Sequence, residues 1–296
     1  MKKITAVTLR IVQSISLDAV LAILPPSFGF LKKLIPHPSF YKKSDEVIIK
    51  RDNTSFNVNR SDWMQWHIYA NLPDDSWKFA LKMLQPEKKA LIILDIGSNI
   101  GAFSFKLASN LRKKGIENFT IHSFDPNPYI QRRFEKNMGL NPSLQNNIKF
   151  HTLAVSDFCG TTSFDFTEDN SGGGSIQGKG IPIEVITIDE FCTAKKINRL
   201  NFIKIDVEGF EPFVFDGGRK TIEKYKPTIY TEISPPLYEA KGRSERDIFR
   251  YLIDTGYSLY KDQGNGLQRI DSIASDPTLK RSSFNILAIF EGTQLI

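Results

Sequence analysis

The chain has 296 residues, 41% of them hydrophobic and 24% charged, with a net charge of +6. That is enough for one large domain, or for a core of about 200 residues with an appendage, and it excludes a disordered or fibrous protein. Residues 1–60 hold ten Lys/Arg against four acids, the whole of the basic excess, so residues 61–296 balance and charge alone does not point to a nucleic-acid partner.

Residues 1–24 carry Ile4, Val7, Ile11 and Ile15 at helical spacing, and Pro25–Pro26 stops the pattern. The longest apolar run there, Ala19 to Leu24, is too short to span a bilayer. An amphipathic helix is expected, packed on its own domain or docked peripherally on an anionic membrane or a protein. A basic linker follows from Pro25 to Lys43. Then comes a hairpin, EVIIKRDNTSFNVN, with its turn at Asp52–Asn53, and two short helices at Trp63–Leu72 and Ser76–Leu84. Residues 1–88 are read as a basic N-terminal extension and 89–296 as the main domain. Cys159 and Cys192 form neither a disulfide framework nor a zinc spacing, so a reducing, cytoplasmic compartment is expected.

From residue 90 strands alternate with helices. ALIILDI, FTIHSFD, NIKFHTLAV, NFIKIDV, PTIYTEI and SFNILAIF read as strands, with helices behind the first two and near Phe213–Lys224 and Glu245–Thr255. Such repeats predict an α/β fold, a mostly parallel sheet with helices on both faces. Ligands then bind beyond the carboxyl ends of the strands, which makes the residues after each strand the informative ones. The segment TTSFDFTEDNSGGGSIQGKGIPIEVITI reads as two strands joined by a loop with five glycines, able to close over a ligand or simply to connect.

The first strand ends in Asp95, followed by Gly97-Ser98-Asn99-Ile100-Gly101. Glycines let a ligand approach the backbone closely. A dinucleotide loop wants glycine where Asn99 stands, and a phosphate loop ends in Gly-Lys-Ser/Thr, which is missing. A polar, non-phosphate nucleoside such as S-adenosylmethionine (SAM) suits the loop better. The second strand ends in FDPNPY, where Asp125, with Asn127 two residues on, stands where α/β nucleoside folds place a ribose-binding carboxylate. After the third strand, Ser156 and Asp157 are candidates for an adenine edge. In the fourth, a spacing of two turns Lys204, Asp206 and Glu208 to one side, costly to bury unless they pair or act. Glu232 ends the fifth strand at the same sheet edge. None of the four histidines has a partner at catalytic or metal spacing.

LDIGSNIGAFS, FDPNP, LAVSDFCG, NFIKIDVEGFE and PTIYTEIS, in that order over residues 92–233, resemble the FkbM-type family of SAM-dependent methyltransferases. The resemblance implies a class I methyltransferase fold, a Rossmann-like seven-stranded sheet whose last strand, SFNILAIF, runs antiparallel. It implies O-methylation of a hydroxyl on a saccharide, glycoconjugate or secondary metabolite. It also implies that Asp95, Gly97, Asn99 and Gly101 hold the methionine end of SAM, Asp125 the ribose and Asp157 the adenine; Ser98, Asn127 and Ser156 beside them are further cofactor candidates. Asp125 departs from the pattern, which more often has Glu there; the shorter acid still reaches a ribose.

Methyl transfer from a sulfonium is an in-line displacement, so the enzyme chiefly aligns the acceptor oxygen and removes its proton. Glu208, Asp206 and Glu232 are the candidate bases, and Lys204 the group that orients one of them. The same carboxylates could instead hold a divalent ion that lowers the acceptor's pKa, a site with little sequence signature and therefore not assigned. The rival readings are an NAD(P)-dependent oxidoreductase, weakened by Asn99, and a non-catalytic nucleoside-binding module, weakened by the stacked acids. A third is an amino-methylating nucleic-acid enzyme, suggested by SPPLY at 234–238 and weakened because Leu237 stands where that motif needs an aromatic residue and because the stretch follows the fifth strand rather than the fourth.

Overall fold

The computed structural model describes residues 20–22, 24, 29–167, 170–176, 180–263, 266–270 and 282–292. Most of the expected N-terminal helix lies outside them. Strands β1 (Glu46–Arg51) and β2 (Thr54–Asn59) form the anticipated hairpin. Asp52 and Asn53 both take left-handed φ (46° and 66°), which a two-residue turn between twisted strands demands. Helix α1 (Trp63–Tyr69) starts at Asp62, whose carboxylate accepts the Gln65 N–H at 2.9 Å, and α2 (Ser76–Met83) follows.

The main sheet is built from β3 (Leu91–Ile96), β4 (Phe119–Phe124), β5 (Ile148–His151), β10 (Phe202–Ile205), β11 (Thr228–Ile233), β12 (Tyr257–Asp262), β13 (Leu267–Arg269) and β14 (Phe284–Phe290). Their order is β13-β12-β14-β11-β10-β3-β4-β5. The five strands from β11 to β5 are parallel, and β14 runs antiparallel to both β11 and β12. The sheet is therefore mixed and eight-stranded; β13 adds an antiparallel edge where seven strands were expected. The antiparallel last strand is as anticipated. The chain runs outward from β3 through β4 to β5, then returns to place β10 on the other side of β3. This makes β3/β10 the switch point.

Helices α3 (Ala102–Lys113), α4 (Pro128–Leu140), α5 (Ile188–Ala194), α6 (Glu211–Asp216), α7 (Arg219–Tyr225), α8 (Pro235–Glu239) and α9 (Glu245–Asp254) complete the layers. The sheet's alternation splits the core in two. Ile93, Phe202, Tyr230 and Leu287 face one core with α3, and Leu94, Ile203, Ile229 and Ala288 face the other with α5, α7 and α9. The first core also contains Phe56, Val58, Trp66, Trp77 and Phe79. Phe79 stacks on Tyr230 at 5.8 Å between ring centroids. Described residues before 89 thus pack against one face of the sheet, in one core with residues beyond the change of rhythm at residue 89.

Three sequence expectations are corrected. The expected third strand stops at His151, and Ala154–Val155 forms β6 in a separate four-stranded sheet, ordered β6-β9-β7-β8. The glycine-rich segment supplies three strands there, β7 (Gly160–Thr167), β8 (Asn170–Ile176) and β9 (Ile181–Ile186); Gly172, Gly173 and Gly174 lie within β8. The helix expected over Phe213–Lys224 is two helices, broken at Gly217–Gly218. A Cβ on Gly217 would stand 2.1 Å from the Ser156 carbonyl oxygen, so the close approach of these segments requires glycine.

Candidate active site

A cavity of about 270 Å³ opens at the carboxyl ends of β3, β4 and β10. Its floor is the loop after β3. Gly97 has φ +80°, and a Cβ there would lie 1.7 Å from the Asp206 carbonyl oxygen, so the loop packs directly on the chain leaving β10. The Gly97 and Ser98 N–H groups both donate to the Phe124 carbonyl, at 3.0 and 2.9 Å. Asn99, also left-handed at φ 46°, donates its N–H to Asp125 Oδ2 at 3.1 Å. Gly101 (φ +91°) opens α3, where a Cβ would strike the rings of Phe105 and Phe134.

Of the residues anticipated for the cofactor, Gly97, Ser98, Asn99 and Asp125 line the cavity. Ser98 Oγ is buried with no hydrogen-bond partner. Asp125 accepts the N–H groups of Asn99 and Asn127, and burial pushes its carboxyl up to about 7. Asp95 lies beneath the loop, fully buried, with Oδ2 accepting the Ser104 hydroxyl at 2.6 Å. Asn127 caps α4 by accepting the Tyr129 N–H at 2.9 Å and does not line the cavity. Ser156 and Asp157 do not line it either: they follow β6 in the second sheet, and Leu153, Ala154 and Val155 stand in the wall instead.

The four anticipated catalytic residues converge, but not by strand alternation. Strand β10 ends at Ile205, so of Lys204, Asp206 and Glu208 only Lys204 is in the strand. Its ammonium lies 3.1 Å from Asp206 Oδ2, 3.7 Å from Asp95 Oδ1 and 3.5 Å from the Gly97 carbonyl. Burial opposes its charge, yet Asp206 and Asp95 hold its pKa above the ordinary lysine value. Glu208 takes a left-handed φ of 54°, a conformation that costs an L-residue roughly 1–2 kcal/mol, and it lines the cavity. Burial first, then the charges of Asp206 and Glu232, raise its carboxyl to about 7. Glu232 is raised to about 7 by burial and by Asp206. It lies on β11 opposite Asn285 of β14, and Asn285 rather than Glu232 reaches the lining. The buried Glu211 holds the loop, its Oε1 accepting the Val207 N–H at 2.8 Å.

Sequence reasoning missed the contribution of the N-terminal segment. Met64, His67, Ile68, Leu72 and Asp74 all line the cavity, as do Lys106 and Tyr230. The only signal was the aromatic density of WMQWHIY. Two histidines do have a partner: His122 Nδ1 and His151 Nε2 are 3.0 Å apart, beneath Phe191, and burial keeps both near a pKa of 4. Among the described residues, no group of three or more His, Cys, Asp or Glu is disposed to hold a metal ion, and no helix is long and apolar enough to cross a membrane.

Residues 95–259 match the family model described as the methyltransferase FkbM domain, more than half of the chain. The chain belongs to the FkbM methyltransferase family. It is 29% identical over 176 residues to the 2-O-methyltransferase NoeI of Sinorhizobium fredii, covering 52% of this chain and 68% of that protein. Among solved structures it is similar to the methyltransferase FkbM of Methylobacillus flagellatus, with 13% identity, a TM-score of 0.45 and coverage of 75% of this chain. The match spans only about half of that protein (52%). It is also similar to magnesium protoporphyrin IX methyltransferase (ChlM) of Synechocystis, with 12% identity, a TM-score of 0.38 and coverage of 68% and 71%. The chain is a methyltransferase, which sets aside the oxidoreductase and the non-catalytic readings.

Proposed function

We propose that this methyltransferase uses SAM and methylates a hydroxyl on a saccharide or glycoconjugate, within a class I type of fold. The observation that carries this reading is the placing of Glu208, a carboxylate poised near neutrality, in the same cavity as the glycine loop. Bound SAM supplies an electrophilic methyl on a positively charged sulfur. The residues present suit such a group. Ser98 Oγ lacks a partner, and Asp125 has lone pairs left for a ribose diol after its two backbone donors. Phe124, Leu153, Ala154 and Val155 offer an apolar wall to an adenine, and Asp157 stands outside that wall. Lys204 against Asp95 and Asp206 leaves one net negative charge beneath the loop, favourable to a cation.

In this reading Glu208 accepts the acceptor's hydroxyl proton as the oxygen attacks, and Asp206 and Glu232 keep its pKa high enough for that task. Lys204 fixes Asp206 and neutralises Asp95. The 2-O-methyltransferase similarity supports a hydroxyl acceptor. The test is incubation with methyl-labelled SAM and, separately, methyl glycosides, peptides and tRNA. Label is expected on a glycoside as a hydrolysis-stable ether, and Glu208→Gln should lower turnover by about 10²–10⁴-fold without changing affinity for S-adenosylhomocysteine. Label confined to peptide or tRNA overturns the acceptor class; an unimpaired Glu208→Gln removes Glu208 as the base.

A further inference from the structure

Trp63 is the only one of the three tryptophans that is exposed: it is 40% accessible, against 9% for Trp66 and 6% for Trp77. An exposed indole that a packed core does not need is an unexpected use of a large apolar side chain. Its plane is also fixed. Trp66, one turn on, stacks beneath it with centroids 5.7 Å apart and planes 17° from parallel, and His67 lies against it at 4.8 Å. These are the i,i+3 and i,i+4 neighbours on one helix face. Trp66 is itself held, its indole N–H donating to the Pro36 carbonyl at 2.9 Å. His37 also flanks Trp63, at 5.4 Å and tilted by 43°.

This platform is joined to the catalytic cavity. Met64 and His67, the next residue and the residue one turn on in the helix, line that cavity. The start of α1 is also tied to the cofactor loop. Asp62, fully buried, accepts the Ser171 N–H at 2.8 Å and the Ser171 hydroxyl at 3.0 Å, and Ser171 Oγ accepts from Asn99 Nδ2 at 3.1 Å. Asn99 is in the glycine loop. Asp62, Ser171 and Asn99 therefore tie the start of α1 to the glycine loop by hydrogen bonds.

We propose that Trp63 is the stacking platform of an acceptor subsite and that its occupant is a pyranose ring. This rests on the saccharide reading of the same cavity and names the residues that select for it. The chemistry favours a sugar. One face of a pyranose carries axial C–H groups that lie flat on an aromatic ring, and its rim carries hydroxyls. Around Trp63 the His67 imidazole and the Nε2 edge of His37, whose Nδ1 is already bonded to Ser39, supply nitrogens for such hydroxyls. His67 is held below the ordinary histidine pKa by burial and so offers a neutral ring with one donor and one acceptor. A purely aliphatic chain would leave those nitrogens unused.

The experiment uses the full chain with 15N-labelled tryptophan, loaded with S-adenosylhomocysteine and titrated with individual methyl glycosides of common hexoses and deoxyhexoses. The Trp63 indole resonance is assigned by its disappearance in Trp63→Phe. At least one glycoside should shift that resonance and receive saturation transfer at its ring C–H protons. Trp63→Ala should weaken that glycoside about tenfold, and Trp63→Phe, which keeps a flat face, by less than about threefold. Unchanged S-adenosylhomocysteine affinity in both variants shows that the fold and cofactor site are intact. If the homocysteine product binds but no glycoside moves the Trp63 resonance, or Trp63→Ala binds glycoside normally, the platform is refuted while the methyltransferase reading stands. Failure of S-adenosylhomocysteine to bind the unaltered chain overturns both.

Discussion

Replacing Lys204 by Met removes the cation that lies between Asp95 and Asp206 and keeps the side chain's volume. Asp95 is the costly partner. It is fully buried, and its Oδ1 has the ion pair at 3.7 Å and no hydrogen bond. Asp206 has a side chain 39% exposed, so water compensates it and its share is at most about 1 kcal/mol. Breaking a buried pair from one side typically costs about 3–5 kcal/mol. The expected loss of stability at pH 7 is therefore roughly 3–4 kcal/mol, mostly from Asp95.

The pH dependence identifies the cause. Burial already raises the Asp95 pKa above its unfolded value, and Lys204 opposes that rise. Without Lys204 the folded-state pKa climbs further. A group raised in this way contributes its stability below the unfolded pKa and loses it as pH rises through the folded pKa. The deficit of Lys204→Met should accordingly be larger at pH 8 than at pH 5. Urea unfolding at both values, followed by fluorescence, measures it. Asp95→Asn/Lys204→Met should recover much of the loss, because no uncompensated charge stays buried. A deficit below about 1 kcal/mol, or one that is the same at both pH values, would show that Asp95 does not depend on Lys204 for its charge.

Gly97→Ala should weaken binding of S-adenosylhomocysteine and lower the melting temperature, because the new methyl meets the Asp206 carbonyl where φ is +80°; normal melting and binding would show that the loop can yield. Asp125→Ala should cost about 1–3 kcal/mol of S-adenosylhomocysteine affinity by calorimetry, with little loss for an analogue lacking the ribose hydroxyls. Turnover should rise with pH through about 7 as Glu208 ionises. Glu232→Gln should move that limb to lower pH by removing a charge that raises Glu208, and an unmoved limb would detach Glu232 from the base.

Much of the site was legible because its backbone requirements are local. Gly97 and the acid Asp125 stand directly after strands, Gly101 closes the loop that follows Gly97, and a strand's end at a sheet edge is a place that pattern alone can find. Ser156 and Asp157 stand outside the cavity lining for a physical reason. The apolar run NIKFHTLAV looks continuous, but its last two residues pair with β9 in another sheet, a long-range choice that periodicity does not carry. Glu208 was singled out by an alternation that stops three residues before it. It reaches the cavity through a left-handed turn with Gly209, not through the pleat. The wall built by residues 64–74 was invisible for a different reason. Its helices are short and ordinary, and long-range packing, such as that of Phe79 on Tyr230, is what closes them over the sheet.

The most direct measurement is calorimetric titration of the purified full chain with S-adenosylhomocysteine, with NADH and NADPH as controls. Saturable micromolar binding of S-adenosylhomocysteine alone, weakened in Asp125→Ala, is the expected result. Absence of that binding, or preference for a nicotinamide cofactor, would contradict the assignment of the glycine-loop cavity as the SAM site.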